Sequence, residues 1–315
     1  MAIHKLSNNF AAFFKRLNPS PSYVEIAART QKEIRRLIEN REGPAGDLKV
    51  KTFIQGSYGR DTAIHTINDV DIVALANLSK SSSANRRTRD QLFDMLGDSI
   101  KQSDRYAGKV KYDSDSICVK VMLSSIKIEV LPALKVQGTS YYDEPFWMFG
   151  QIKRDVATEM TWVPAFARKH QKCMSDRNSL VNGKLIPMVK VLKHLRSQDE
   201  ILEESDAPSF LIECLLYALK ANIYSASFAD CIEGVLTAVK GFDPEKTYGS
   251  GLGTPCRDKK LFETEWGVTN YEKFHKRIVY WQSVAAKANV SSKKNEAIDL
   301  WKLLLGTTFF PRQVE

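Results

Sequence analysis

The cysteines of this 315-residue sequence are few, odd in number and scattered. No two of them form the Cys-x-x-Cys pair that is typical of zinc and redox sites. An odd, dispersed set predicts reduced thiols in a reducing compartment, and it argues against a disulfide framework or a zinc site. The five cysteines are Cys118, Cys173, Cys214, Cys231 and Cys256.

The sequence also lacks a long apolar run and a recognisable leader. No stretch approaches the roughly 20 apolar residues that a membrane-spanning helix needs. The first ten residues, MAIHKLSNNF, do not follow the charged-then-apolar plan of a secretory signal. We therefore expect a cytoplasmic protein with no membrane partner.

The composition is otherwise ordinary for a globular protein, with 43% apolar and 26% charged residues, and the length suffices for two domains. Lysine and arginine outnumber aspartate and glutamate by 46 to 37, and the resulting net charge of +9 favours an anionic partner. That partner is either a nucleoside triphosphate or a nucleic acid. No continuous stretch combines basic and aromatic residues, as a groove that follows a nucleic-acid strand would require.

Hydrophobic patterning divides the sequence into a mixed α/β first half and a helical second half. We predict a short strand at 50–54, a strand buried on both faces at 70–75, and a β-hairpin formed by 117–123 and 126–131. Beyond about Gly150 the pattern becomes helical. The predicted helices there are 154–168, 185–198, 209–222, 228–239, 271–288 and 293–304.

The most informative motif is a turn of small residues followed by two spaced acids. Gly56 and Ser57 precede Asp69-Val-Asp71, which begins the apolar run. Residues two apart on a strand project from the same face, so both carboxylates can converge on one point. Paired carboxylate oxygens suit Mg²⁺. The alternative is a pair of structural acids at a strand edge.

Glu129 is the best third acid. It lies on the second strand of the predicted hairpin, between Ile128 and Val130, and burial there would be costly unless its carboxylate were paired or bound to metal. Three carboxylates could support two metal ions, and Glu129 could accept a hydroxyl proton. The alternative is an exposed glutamate on the polar face of the hairpin, beside Lys127.

Phosphate binding is predicted at the Gly-Ser turn. Gly56 lets the backbone approach a ligand closely, and the Ser57 hydroxyl and successive N–H groups can bind phosphate oxygens. Arg60 could add positive charge, although an exposed structural arginine is nearly as plausible. By itself, a Gly-Ser pair would indicate an ordinary turn.

The helical half offers candidates for a triphosphate clamp. Lys190 and Lys193 lie three residues apart on one predicted helix and so share a face. A solvated basic face is the usual interpretation of such a pair. Ser209 could cap a helix, contact a triphosphate, or do both.

The first-half motifs resemble those of a known superfamily. Gly56-Ser57, Asp69-x-Asp71 and Glu129 are similar to the polymerase-β-like nucleotidyltransferase pattern. The third acid is often aspartate in such proteins, whereas this sequence has glutamate. The longer side chain would shift the metal geometry without preventing binding.

Two further segments narrow the resemblance to a family. They are Ser209-Phe-Leu-Ile-Glu213, which follows the Lys193 helix, and the segment 301–310. With them, the sequence resembles the bacterial second-messenger oligonucleotide or dinucleotide synthetases, known as SMODS or CD-NTase proteins. By this resemblance, Asp69, Asp71 and Glu129 would hold metal ions, Gly56 and Ser57 phosphates, and Lys193 and Ser209 the donor triphosphate.

The resemblance implies an α+β fold: a polymerase-β-like nucleotidyltransferase core, with a mixed sheet flanked by helices, and a helical C-terminal lobe across a central active-site cleft. Residues 1–150 would form the core, including the N-terminal helices, and residues 151–315 the nucleotide-clamping domain. The activity implied is Mg²⁺-dependent joining of nucleoside triphosphates, ATP among them, into a cyclic di- or trinucleotide with release of pyrophosphate. Two ions are expected, with Mn²⁺ as an alternative metal.

In that family the cyclic product serves anti-phage (CBASS) defence by activating a separate effector. A regulatory protein partner and activation by nucleic acid stay open. Two other functions also stay open for the sequence. One is a template-independent transferase that extends RNA or modifies a small molecule, and the other is a degenerate module that only binds nucleotides or RNA.

Overall fold

The computed structural model describes residues 1–79, 86–154, 157–224, 226–242, 252–255 and 268–312. The chain divides into two compact units. The sheet unit comprises Ser20–Asp61 and Ile67–Gln171, and the helical unit comprises Met1–Pro19, Thr62–Thr66 and Lys172–Glu315. The ranges 1–150 and 151–315, and the cleft between two lobes, stay predictions. Of the cysteines, Cys256 lies outside the described residues.

Helices occur in both units. In chain order, the described helices are α1 (Ser7–Leu17), α2 (Pro21–Ile38), α3 (Gly56–Gly59), α4 (Arg86–Lys101), α5 (Ala167–Leu180), α6 (Leu185–Gln198), α7 (Ser209–Ala218), α8 (Phe228–Lys240), α9 (Val268–Val290) and α10 (Lys294–Leu305). Among the residues described, no helix is both long enough and apolar enough to cross a membrane.

The sheet unit is built on one mixed sheet. Its described strands are β1 (Lys51–Gln55), β2 (Asp69–Ser79), β3 (Val110–Lys111), β4 (Val119–Met122), β5 (Lys127–Lys135), β6 (Phe146–Arg154) and β7 (Ala157–Ala165). Strands pair in the order β1-β2-β5-β4-β3, and β6 pairs with both β5 and β7. The β2–β5 pair is parallel and the other pairs are antiparallel.

Strand β2 lies inside the sheet and is buried on both faces, as its apolar run predicts. The side chains of Ile72, Val73 and Leu75 have no exposed surface. Helices α2 and α4 contribute Ile34 and Phe93 to the core on one side. The β4–β5 hairpin is also present where predicted, with Val121 opposite Ile128.

The prediction of a helix at 154–168 is wrong. The chain there completes the antiparallel β6–β7 pair, and helix α5 begins only at Ala167. The segment contains the β-formers Thr158, Thr161 and Val163. It also contains Pro164, which a helix interior excludes but an outer strand tolerates. Phe149 and Trp162 face each other across the two strands with ring centroids 5.5 Å apart.

The helical unit has its own core, which joins distant parts of the sequence. The ring of Phe10, on α1, lies 5.1 Å from that of Trp301, on α10, and 5.0 Å from that of Phe310. All three side chains are fully buried. The predicted fold class, a mixed sheet flanked by helices with a helical part following it, is therefore confirmed.

Candidate functional site

Parallel pairing of β2 with β5 brings the three predicted acids to one region of the sheet. Asp69 lies opposite Lys127, and Asp71 lies opposite Glu129. Because alternate residues of a strand share a face, all four side chains project from the same face of the sheet. The sequence positions Asp69 and Asp71 at the start of β2, where the buried apolar run begins.

The Gly-Ser turn is in direct contact with one of these acids. Gly56 begins the short helix α3 with a φ of +70°, a conformation that favours glycine. A Cβ atom at Gly56 would lie only 1.8 Å from Oδ2 of Asp71. A side chain at this position would therefore displace the Asp71 carboxylate, which rests against the backbone of the turn. Ser57, the next residue, is half-buried.

The surroundings of Asp71 oppose its ionisation. Burial, followed by the negative charges of Asp69 and Glu129, raises the pKa of Asp71 to about 7, although Arg60 and Lys127 act in the opposite direction. Negative charge is thus concentrated beside the Gly-Ser turn. A cation bound there would relieve this repulsion.

Two neighbouring side chains were not among the predicted site residues. Nζ of Lys127 lies 2.9 Å from Oε1 of Glu129 and 3.6 Å from Oδ2 of Asp69, so one ammonium pairs with two acids. The hydroxyl of Tyr23, on α2, donates a hydrogen bond of 3.3 Å to the backbone carbonyl of Asp69. The spacing of Lys127 and Glu129 predicts a shared strand face, but no local signal in the sequence identifies Tyr23.

The donor set fits a hard divalent cation. Asp69, Asp71 and Glu129 supply carboxylate oxygens, the ligands that Mg²⁺ prefers, and their mutual repulsion favours a positive ion. Within the described parts of the chain, no three histidine, cysteine or acidic side chains already surround a common point as metal ligands. The ammonium of Lys127, which pairs with both Asp69 and Glu129, gives a physical reason for this arrangement.

The predicted lysine clamp belongs to the helical unit and is buried. Lys190 and Lys193 retain only 6% and 2% of their surface, because α6 is covered on all sides. The interpretation of a solvated basic face is therefore wrong. Nζ of Lys193 lies 2.8 Å from Oε1 of Glu213 and donates to the Thr62 hydroxyl at 2.9 Å, and Lys190 donates to Oδ1 of Asn18 at 3.0 Å.

Ser209 is the first residue of α7, and Pro208 occupies the N-cap position. The Ser209 hydroxyl accepts hydrogen bonds of 3.4 Å from the Arg196 guanidinium and donates one of 3.5 Å to Glu204. Pro208, rather than Ser209, is therefore the cap residue of α7, and no side-chain capping hydrogen bond is present there. The structure thus brings Gly56, Asp69, Asp71 and Glu129 together in the sheet unit, whereas Lys190, Lys193 and Ser209 bond within the helical unit. The roles of all these residues in substrate binding stay predictions.

Two family models match the chain. The model of the Second Messenger Oligonucleotide or Dinucleotide Synthetase domain matches residues 4–178, which is more than half of the chain. The model of the cGAS/DncV-like nucleotidyltransferase C-terminal helical domain matches residues 172–282. The first range contains the Gly-Ser turn and all three acids.

Individual relatives agree with these models. The chain is 22% identical to a cyclic UMP-AMP synthase of Rhodothermus marinus over 70% of its length and 80% of that protein. It is 24% identical to a cyclic AMP-AMP-AMP synthase of Acinetobacter over 83% of its length and 73% of that protein. Among solved structures, the E. coli MS115-1 CdnC:HORMA-deltaN complex has the same fold, with a TM-score of 0.71, 15% identity, and coverage of 97% of this chain and 98% of that one.

Proposed function

The chain belongs to the family of Second Messenger Oligonucleotide or Dinucleotide Synthetase domains and is a nucleotidyltransferase, and on that basis we propose that it joins nucleoside triphosphates into a cyclic di- or trinucleotide. Each phosphodiester bond would form with release of one pyrophosphate. The proposal follows the activities named for the R. marinus and Acinetobacter relatives.

The observation that carries the proposal is the contact between Gly56 and Asp71. A turn suited to phosphate and a carboxylate suited to metal lie side by side, and a Cβ at Gly56 would overlap Oδ2 of Asp71. Nucleotidyl transfer requires this juxtaposition, because the metal ions must reach the phosphate that is attacked. An ordinary structural turn has no need of it.

The chain's residues would divide the chemistry between them. The backbone N–H groups of the turn and the hydroxyl of Ser57 would hold phosphate oxygens of the donor, and Arg60 would add positive charge beside them. Glu129 would accept the proton of the attacking ribose hydroxyl. The candidate contacts for the donor triphosphate are Lys190, Lys193 and Ser209.

Asp69, Asp71 and Glu129 would hold two Mg²⁺ ions, with Mn²⁺ as an alternative. When bound, these ions would lower the pKa of the ribose hydroxyl and neutralise charge on the triphosphate and pyrophosphate. The carboxylates on β2 and β5 would fix the position of the ions relative to the turn.

In the cell, the product would act as a second messenger in anti-phage (CBASS) signalling and would activate a separate effector. A regulatory protein partner is part of the same proposal, because the CdnC neighbour was solved in a complex with HORMA-deltaN. The protein would act in the cytoplasm. ATP is the expected substrate, since both relatives described above make products that contain AMP.

The test is product analysis by mass spectrometry after incubation of the purified protein with all four nucleoside triphosphates and Mg²⁺, and in parallel with Mn²⁺. A cyclic product should resist phosphatase, because it has no terminal phosphate. We expect cyclic products and one pyrophosphate per bond. The double variant Asp69→Asn/Asp71→Asn should make none, and the exposed-acid control Asp104→Asn should match the wild type.

Phosphatase-sensitive linear products alone would overturn cyclic synthesis and favour the template-independent transferase. Equal product from the double variant would contradict the assignment of the acids. No product under varied activating conditions, including added nucleic acid, would favour the module that only binds nucleotides.

A further inference from the structure

Lys127 occupies a distinctive place among the acids of the sheet unit. It lies on β5 two residues before Glu129, and its Cα is paired with that of Asp69 on β2. The two strands therefore direct one cation toward two carboxylates on the same face. The Nζ atom lies 2.9 Å from Oε1 of Glu129 and 3.6 Å from Oδ2 of Asp69.

This pair of contacts is partly shielded from water. The exposed fractions of the Lys127, Glu129 and Asp69 side chains are 28%, 21% and 37%. Charges in such a setting interact more strongly than they do in bulk water. The ammonium is thus the counter-charge that holds Asp69 and Glu129 in their present positions.

A divalent metal ion shared by these two acids would bind the same two carboxylate groups that Lys127 contacts. Mg²⁺ binds carboxylate oxygens at about 2.0–2.1 Å, and Lys127 already contacts one oxygen of each acid. An ammonium and a divalent cation bound side by side to the same two carboxylates would repel one another strongly. Both cannot take these positions together.

We propose that Lys127 competes with the divalent cation for Asp69 and Glu129, so that metal binding requires its ammonium to leave these two carboxylates. The inference rests on the proposed function, because it takes the acids as metal ligands. Lys127 then sets the metal concentration at which the site fills. The affinity of the site for metal then depends on Lys127 as well as on the acids.

The test measures binding of Mn²⁺ to the full chain in the absence of nucleotide, by the loss of the electron paramagnetic resonance signal of free Mn²⁺. In Lys127→Met the competitor is removed, and we expect Mn²⁺ to bind about tenfold more tightly than to the wild type. Lys127→Arg keeps the positive charge and should bind Mn²⁺ within about twofold of the wild type. If Lys127→Met fails to fold, Lys127→Gln takes its place.

A matched control separates local competition from net charge. Lys101 lies in the same unit, and its ammonium pairs with Asp98 at 3.0 Å. Lys101→Met removes one positive charge there and should leave Mn²⁺ binding unchanged. A gain in Lys101→Met as large as that in Lys127→Met would assign the effect to net charge and overturn the proposal, as would a Lys127→Met protein that binds Mn²⁺ no more tightly than the wild type.

Thermal unfolding provides a second measurement that does not depend on activity. In EDTA, Lys127→Met should unfold at a lower temperature than the wild type, because the acids lose their counter-charge. Added Mn²⁺ should then raise its midpoint by more than it raises that of the wild type. Equal shifts in both proteins would contradict the competition.

The same titration distinguishes this proposal from the proposed function. Wild-type protein that binds no Mn²⁺, or Asp71→Asn protein that binds it as well as the wild type, would refute the metal assignment itself. Normal wild-type binding that is weakened in Asp71→Asn but unaltered in Lys127→Met would refute only the role of Lys127.

Discussion

Lys193 and Glu213 form an ion pair inside the helical unit, with Nζ 2.8 Å from Oε1 and side-chain exposures of only 3% and 0%. The Thr62 hydroxyl donates to the same carboxylate oxygen at 2.6 Å, and Nζ donates to the Thr62 hydroxyl at 2.9 Å. The pair thus fixes Thr62, which lies between the Gly-Ser turn and Asp69 in the sequence. We expect it to contribute to stability through this network.

Glu213→Gln should destabilise the protein by about 3 kcal/mol, because a buried ammonium loses the negative charge beside it. The measurement is the free energy of unfolding from urea titration. The control is Lys172→Ala, which removes an exposed i, i+4 pair with Asp176 and should leave the free energy of unfolding unchanged. A Glu213→Gln protein as stable as the wild type would show that the pair adds no net stability.

Gly56→Ala should reduce nucleotidyl transfer by at least about 100-fold, because the new Cβ would displace Oδ2 of Asp71. Gly138→Ala is the matched control. Gly138 has a similar φ of +80°, but a Cβ there would meet no atom within 4 Å. In both variants, backbone strain should lower the free energy of unfolding by about 1–2 kcal/mol. Product formation and unfolding are measured together, and equal activity in the two variants would contradict the close contact.

Stability should fall in mildly acidic solution because His194 is buried in its neutral form. Burial lowers the pKa of His194 to about 4, from an ordinary value of 6.5. Its Nε2 lies 2.9 Å from the Leu305 carbonyl, which can only accept, so Nε2 donates; Nδ1 then accepts from Nε2 of His65 at 3.4 Å. Protonation of Nδ1 would break that second bond.

The direction in which stability changes with pH follows from which state binds the proton. Above pH 6.5 neither the folded nor the unfolded state protonates His194, whereas between pH 6.5 and 4 the unfolded state gains a proton that the folded state refuses. Through this residue, the free energy of unfolding of the wild type should therefore fall by about 3 kcal/mol between pH 6.5 and pH 4. In urea titrations, the decrease in the free energy of unfolding from pH 7 to pH 4 should be smaller in His194→Gln than in the wild type by that amount. The control His4→Gln, at a partly exposed position in the same unit, should follow the wild type.

Asp71→Asn should abolish transfer yet raise the thermal midpoint in EDTA. The Asp71 carboxylate is opposed by burial and by the charges of Asp69 and Glu129, so a neutral amide removes an unfavourable interaction. We expect an increase of at least about 2 °C by differential scanning calorimetry. Asp104→Asn, at an exposed position, should not change the midpoint. A lower midpoint in Asp71→Asn would mean that the ionised carboxylate stabilises the fold.

Local patterns predicted the elements that carry the candidate site. The apolar run after Asp69 identifies a buried strand, and alternate spacing places Asp71 on the same face as Asp69. The hairpin that carries Glu129 could also be predicted, because its two strands are adjacent in the sequence. The close approach of Gly56 to Asp71 could not be predicted, since it depends on the positive φ at the turn.

Long-range pairing accounts for what the sequence did not predict. Lys127 meets Asp69 only because β5 lies parallel to β2, and no local pattern states which strands are neighbours. The spacing of Lys193 predicts a basic helix face, yet its partners Thr62 and Glu213 come from other segments of the helical unit. A buried lysine needs such partners, and they cannot be identified from its own helix.

The aromatic contacts of Phe10 with Trp301 and Phe310 have a consequence for synthesis on the ribosome. Translation proceeds at about 5–20 residues per second, so helix α1 emerges about 15–60 s before the aromatic residues that cover it. During that interval the newly made Phe10 lacks Trp301 and Phe310, two of the rings on which it finally packs, and chaperones have time to engage α1. A message broken before codon 301 would yield a chain in which Phe10 has neither of these two rings to pack on.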